Sequence, residues 1–434
     1  MQMNNLIGIR REDKNIWEKR VPLIPEHVKK LKEEHEINVV IQPFPARAFS
    51  DDEFRQAGAE VNEDISAAPV IFGVKEIPIK LLLENKTYLM FSHTIKGQSY
   101  NMPLLRKLME LKCSLIDYET ITDEKKRRLV FFGKFAGLAG MIDGLHGLGR
   151  RLKYLGYETP LLNVKQAYQY PSLEAAKEEI SAAGEKIKAE GLPKELTPLV
   201  IGFSGYGHVS QGAQEIFDLL PHKEIAPAEL KNLSDDAEPV FYKTVFKEVD
   251  MFEPKDENAE FELQDYFNHP EKYKSKFERY LEHLTMLVNA IYWYDACPRL
   301  ITKDYLKNNF DKVKLQLVAD ISIDIDGSIE FSYKATEPDN PAFVYNPKTD
   351  EFTDGYEGEG IVDITIDNLP TELPKNASIS FSEALTPFVP AIAKADYSKP
   401  FDELELPDEI KRAMILHNGE LTGSYKYLEK FLNE

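Results

Sequence analysis

Short apolar runs alternating with polar, amphipathic stretches set the rhythm of the first half of the chain. Leu6 to Ile9 is a brief apolar run, followed by a charged loop. Pro25-Glu26 opens an amphipathic helix to about Glu34, and Ile37 to Ile41 predicts a strand. Asp51 opens a helix through Ala57, with Asp51 or Ser50 as its cap. Val70 to Val74 and Tyr88 to Ser92 predict short buried strands, Met102 to Leu111 a helix, and Ser114 to Asp117 another strand. Strands alternating with helices predict α/β architecture with parallel sheets.

From Phe135 to Leu155 small and apolar residues predict a long helix, suited to tight packing at a domain junction. Glu174 to Glu190 is a charged, Ala-rich helix with a solvated face. Pro198 to Phe203 is an apolar strand that runs into glycines and starts a second domain. Leu233 to Glu282 is polar and aromatic with weak periodicity, and is read as a long excursion on that domain. Thr285 to Asn289 predicts a central strand. Leu315 to Ile325 predicts another, because its apolar residues alternate with period two. Pro338 to Tyr356 is loop-rich, Ile361 to Ile366 is a strand, and the tail Pro407 to Glu434 is expected to be helical.

At 434 residues the chain exceeds one ordinary core, which predicts two domains. A net charge of −20 argues against nucleic-acid binding, which relies on clustered Lys and Arg. Only two cysteines, Cys113 and Cys297, are present, so neither a disulfide framework nor a metal site is expected. With charges at Arg10, Arg11 and Glu12 near its start and no long apolar run, the chain is expected to be cytoplasmic and free of membrane.

Three patterns carry chemistry. The first is the strand Val200 to Ser204 followed by Gly205-Tyr206-Gly207-His208-Val209-Ser210, opening a helix at Gln211 to Leu220. Such a glycine turn lets backbone approach a pyrophosphate, and the helix start stabilises its charge. The bland alternative is a tight strand–helix turn. The strand expected next, Glu224 to Ala226, has no clear acid at its end, which favours NADP over NAD; Lys223 and Lys231 are the nearest cations. The second pattern places Lys75-Glu76 and His93 at the ends of two apolar strands, where open parallel sheets bind ligands. The alternative is a surface Lys75–Glu76 pair with His93 capping a turn. The third is Arg10-Arg11-Glu12 with Glu18-Lys19-Arg20, either a carboxylate-binding set or a solvated face. Ser322 to Gly327 faintly resembles a calcium loop, but its twelfth position is Tyr333, so calcium is rejected.

The opening Ile9 to Lys14 with Trp17 to Pro25 resembles the N-terminus shared by alanine dehydrogenases, proton-translocating transhydrogenases and saccharopine dehydrogenases. Phe91 to Gln98 with Asn101-Met102, Phe132 to Met141, Phe203 to Ala213, Ala319 to Ser322, Gly327 to Glu330, Ile366 to Pro374, and the ending Asn418 to Thr422 with Tyr425 to Tyr427 resemble a narrower group. That group is the lysine–ketoglutarate reductase domains, the first half of bifunctional aminoadipate semialdehyde synthases; this chain would be a stand-alone form.

The resemblance implies two Rossmann-like domains with an active-site cleft between them. The substrate domain would span 1–134 and 366–434, and the dinucleotide domain 135–365. It implies reductive condensation of lysine and 2-oxoglutarate to saccharopine with NADPH, NAD being left open, or the reverse oxidation. Lys75 would be the general base, His93 the general acid, and Glu76 and Glu119 would tune Lys75. Arg20 and Gln98 would hold substrate carboxylates, with Phe132 in contact. Arg128, Gly205, Tyr206, Gly207, His208, Val209, Ser210, Ile291 and Asp320 would line the cofactor site. The alternatives are an alanine-type or other amino-acid dehydrogenase and a catalytically silent NADP-binding regulator. The partners expected are these small molecules, with a homo-oligomer left open.

Overall fold

The computed structural model describes residues 5–234 and 236–432. It divides into two compact units, Met1–Phe132 with Pro374–Glu434, and Gly133–Leu373. Among the described residues each unit is built on one eight-stranded sheet. None of the described helices is long and apolar enough to cross a membrane.

In the first unit the strands are β1 (Leu6–Ile9), β2 (Asn38–Ile41), β3 (Glu60–Val61), β4 (Val70–Phe72), β5 (Thr87–Met90) and β6 (Ser114–Asp117). All pair in parallel, in the order β6-β5-β4-β1-β2-β3. Helices α1 (Pro25–His35), α2 (Asp51–Gln56) and α3 (Met102–Glu110) connect them. Ser50 caps α2, and a reciprocal bond from Glu53 completes a capping box. Beyond β6 the sheet gains an antiparallel hairpin, Met414–His417 and Glu420–Leu421. The tail is therefore not helical throughout. Asn418 and Gly419, both at positive φ, form the tight turn that an Asn-Gly pair between apolar residues favours. Of the tail, residues 433–434 lie outside the described residues.

The second unit opens with α4 (Gly133–Tyr154) and α5 (Leu173–Glu190). Its strands are β7 (Leu199–Ser204), β8 (His222–Glu224), β9 (Phe241–Phe246), β10 (Phe252–Pro254), β11 (Tyr273–Ser275), β12 (Met286–Asn289), β13 (Leu317–Asp320), β14 (Ala342–Asn346), β15 (Glu351–Asp354) and β16 (Ile361–Ile364). The main sheet runs β15-β14-β16-β13-β12-β7-β9-β8, parallel except at β14 and β15. Helix α6 (His208–Phe217) follows β7, starting three residues before the predicted Gln211.

Several expectations change here. The stretch read as an excursion contains β9, which lies directly beside β7. The stretch read as loop-rich contains the β14–β15 hairpin. The strand predicted to reach Ile325 ends at Asp320, because Ile323 takes a positive φ of 55° and Gly327 closes a turn on Asp324. The second unit extends to Leu373 rather than 365, since Leu369–Glu372 packs on α4. There the buried Glu372 and Asp143 carboxyls accept the amides of Tyr168 and Ala167, and burial first raises the pKa of each.

Helix α4 lies backbone against backbone on α6. A Cβ on Gly137 would sit 1.9 Å from the Val209 carbonyl oxygen, and one on Gly212 2.2 Å from that of Lys134. Neither oxygen can move without breaking its own helix. Gly137→Ala is therefore expected to lower the unfolding temperature sharply or prevent soluble expression, at a cost of about 1–3 kcal/mol or more. A thermal melt indistinguishable from the parent would show the helices free to separate.

Candidate active site

The first unit gathers ionisable groups at the carboxyl ends of four adjacent strands. Glu12, Lys14, Glu18 and Arg20 follow β1; Lys75 and Glu76 follow β4; His93 follows β5; Asp117 and Glu119 close β6. Open parallel sheets bind ligands at that edge, beside the point where strand order reverses. Here the reversal falls between β1 and β4.

Glu12 organises the set. Its two carboxylate oxygens accept the backbone amides of Val74 at 2.7 Å and Lys75 at 3.0 Å. Burial, then the neighbouring Glu18, pushes its pKa up against those amides and Arg10. Arg20 is 2% exposed and donates to both oxygens of Glu18, at 2.8 and 2.5 Å, with its guanidinium 4.1 Å from the Phe132 ring centroid. Phe132 stacks on Phe381 at 4.5 Å. Ser378 and Ser382, on the same returning helix (Pro374–Leu385), accept the amides of Val21 and Ile24 and so hold the Arg20 loop.

The Lys75 amine is lowered to about 8, by burial first and then by the charges of Arg20 and Lys14, with Glu18 and Glu76 opposing. Among the described residues no ion pair or side-chain hydrogen bond engages it. His93 Nδ1 lies 2.5 Å from Glu76 Oε1. The His93 backbone is at φ 51°, and its carbonyl accepts Asn101 Nδ2 at 2.8 Å. Burial would raise Glu76, but His93 and then Lys14 hold it at about 2. So the surface Lys75–Glu76 pair is not formed; Glu76 orients His93 instead.

Other expected residues fall elsewhere. Glu119 does not reach Lys75: it pairs with Arg128 at 2.6 Å, since both leave the β6 end on the same loop. Arg20 faces inward to Glu18, so binding a substrate carboxylate would mean sharing it with that acid. Gln98 is exposed and accepts the Tyr100 hydroxyl at 2.8 Å. Arg10, Glu12, Glu18 and Arg20 are buried, so the N-terminal charge run is no solvated face. Sequence reasoning named Glu12 and Glu18 only as members of a charge run, without a role, and missed Tyr118 and Phe381. An acid just past an apolar strand was the available signal for Glu12.

The second unit carries the glycine turn. Gly205 has φ 83°, which glycine adopts without strain. Gly207, at φ −73°, needs no such freedom, and a Cβ there would meet nothing within 4 Å. Neither backbone conformation nor packing requires glycine at 207, so what it preserves is open space in front of the α6 amides. That fits a pyrophosphate. Ser210 is buried and accepts Gln214 Nε2 at 3.0 Å. Asp320 is buried too: it takes hydrogen bonds from Asn289 (2.8 Å) and Ser332 (3.0 Å) and one at 3.3 Å from the Ile323 amide, and burial raises its pKa. It is thus a support beneath the loop rather than an open ligand. Ser322 donates to the Ile291 carbonyl across the same edge.

Two α/β units, one with acid–base groups and one with a dinucleotide turn, define the class of a two-domain nucleotide-dependent protein. The alanine dehydrogenase/PNT N-terminal domain model matches residues 8–139, and its C-terminal partner matches 243–424. The chain belongs to the alanine dehydrogenase/PNT family, whose cofactors are nicotinamide dinucleotides. It is 39% identical to alpha-aminoadipic semialdehyde synthase of Arabidopsis thaliana over 98% of this chain and 41% of that protein. For the mitochondrial synthase of Mus musculus the figures are 37%, 98% and 48%. The chain thus spans less than half of each of these relatives. It is 27% identical to the NAD(+), L-lysine-forming saccharopine dehydrogenase of Emericella nidulans, over 88% of this chain and 91% of that one. An L-alanine dehydrogenase structure shares the fold, with a TM-score of 0.64 at 17% identity, covering 98% of this chain and 99% of that chain.

Gly207→Ala should leave the unfolding temperature unchanged while weakening dinucleotide binding about tenfold, measured by titration of nicotinamide fluorescence. Unchanged binding would mean that the space at Gly207 serves no ligand.

Proposed function

We propose that this chain reduces the imine formed between L-lysine and 2-oxoglutarate to saccharopine, or runs the reverse oxidation, with a nicotinamide dinucleotide. The observation that carries the reading is the pairing of a half-buried lysine, lowered to about 8, with a carboxylate-oriented histidine on the next strand. Similarity to aminoadipic semialdehyde synthases over nearly the whole chain supports the substrate assignment.

The chemistry asks for two proton transfers. The attacking amine of lysine must be neutral, so a base must take its proton; Lys75 has the required basicity near neutral pH. The carbinolamine must lose its hydroxyl as water, so an acid must protonate that oxygen; His93, held by Glu76, is suited to this. When bound, the reduced cofactor supplies hydride to the imine carbon. Gly205 to Ser210 would hold its pyrophosphate, with Ile291 near the same edge. Lys75 supplies positive charge for the carboxylates of 2-oxoglutarate, and Lys14 adds to it while paired with Glu76 at 3.1 Å. The NADPH expectation rested on finding no acid after Glu224–Ala226. That segment leaves the edge strand β8, which does not border β7, so its lack of an acid does not bear on the cofactor.

The test follows absorbance of NADPH and of NADH with lysine and 2-oxoglutarate together and each omitted in turn. Consumption that needs both substrates is the expected result; activity with ammonia and pyruvate instead would transfer the chain to the amino-acid dehydrogenases, and silence would favour a regulator. Lys75→Met should lower kcat roughly 10²–10⁴-fold with cofactor affinity retained. In the parent, kcat/KM should rise about tenfold per pH unit toward pH 8 and level above it, as the Lys75 amine loses its proton. A Lys75→Met variant that kept near-normal turnover and the same limb would remove Lys75 as the base.

A further inference from the structure

His93 follows β5 with its backbone in the left-handed region, at φ 51°. A residue with a Cβ persists there only where its surroundings fix it. Its two neighbours supply the hold. Ser92 and Thr94 are both buried, and so is Asp117, which ends β6 opposite Met90 of β5. Asp117 Oδ2 accepts the Ser92 amide at 3.0 Å and the Ser92 hydroxyl, and Oδ1 accepts the Glu119 amide at 2.8 Å. A hydroxyl has one proton to donate. Ser92 gives its own to Asp117, so the 2.8 Å contact between the Ser92 and Thr94 hydroxyls carries the Thr94 proton. Asn101 Nδ2 donates to the His93 carbonyl at 2.8 Å. Among the described residues no cation pairs with Asp117, so this carboxylate is spent on the turn around His93 and on Glu119. Burial raises it to about 6, against the Ser92 hydroxyl and the two amides, so at neutral pH it is mainly ionised.

We propose that Asp117 is a positioning residue for His93: through Ser92 and Thr94 it fixes the backbone that aims the imidazole at Glu76. The inference rests on the reading of His93 as the general acid. Glu76 is ionised, and an ionised carboxylate only accepts hydrogen bonds, so His93 Nδ1 carries the proton between them. That leaves Nε2 as the atom that gives up or takes the transferred proton. Asp117 touches no reacting atom on this reading. Its loss would let residues 92–94 relax to ordinary backbone, and the ring would leave Glu76.

The experiment compares the full chain, with isotope-labelled histidine, as parent, Ser92→Ala, Asp117→Asn and His93→Gln. Ser92→Ala is the mild variant: it deletes one hydroxyl and keeps the backbone bond to Asp117. In the parent a downfield ring N–H resonance, assigned by its loss in His93→Gln, should report the bond from His93 to Glu76. It should weaken or vanish in Ser92→Ala and Asp117→Asn, while kcat falls about 10–10²-fold and the KM of each substrate stays within about threefold. In a His93→Gln background Ser92→Ala should change the residual turnover by less than about twofold, whereas a residue that only supports the fold would lower both backgrounds alike. An unaltered His93 resonance with parental kcat in Ser92→Ala overturns the inference and leaves the proposed reaction standing, as do equal losses in both backgrounds. A His93 resonance that depends on Ser92 in a chain without turnover sustains the hold of Asp117 on His93 and overturns the reaction instead.

Discussion

A buried carboxylate without a hydroxyl or a cation of its own has few ways to persist, and Glu12 uses the backbone. By accepting the Val74 and Lys75 amides it joins the end of β1 to the turn after β4. Removing either partner would leave a buried polar group unsatisfied, which costs about 1–3 kcal/mol for each group. The arrangement fixes where Lys75 leaves the sheet. It also imposes a neighbour: Glu18, an acid drawn close, is held ionised by Arg20, and Arg20 in turn depresses Lys75. Burial lowers the Lys75 amine first, and Arg20, itself held beside Glu18, lowers it further.

The same edge shows how an acidic protein can gather local positive charge. A net charge of −20 sets an unfavourable background for a dicarboxylate. At the β1 and β4 ends, however, Arg10, Lys14, Arg20 and Lys75 meet Glu12, Glu18 and Glu76. Glu12 is committed to amides, Glu18 to Arg20 and Glu76 to His93 and Lys14, while among the described residues the Lys75 amine has no ion pair. Local electrostatics is decided by which charges are already bonded, not by the count.

Legibility in the sequence followed the same division. β1, β4 and β7 were legible as apolar runs, and β5 and β6 because buried apolar residues sit at their centres. Lys75, His93 and the glycine turn stood out because they end such runs. β9 was hidden because Lys243 and Thr244 sit in its middle. Lys243 is tolerated only because Asp218 and Glu224, from other segments, reach it. The C-terminal hairpin was overlooked although Asn418-Gly419 announces it, because its strands are too short for periodicity to register. Period-two alternation misled at Ile321 to Ile325, where a positive φ at Ile323 ends the strand and leaves Ile325 exposed. Arg20 has a local partner in Glu18, but Glu12 is held by the amides of Val74 and Lys75 and Arg20 packs on Phe132, contacts that no local pattern encodes.

Chain order and spatial order part company most consequentially beside β7. A strand that arrives third in sequence takes the neighbouring place, and the one between is pushed to the edge. Edge position suits β8, three residues long with exposed Lys223 and Glu224, since a short, charged border resists pairing with other chains. Central position suits β9, whose remaining side chains are aromatic and β-branched and feed the core around Phe246, Phe277 and Tyr280. Burial thus decides which strand flanks the glycine turn. With it come Lys247 and Glu248, one of each charge, which leave β9 beside that turn.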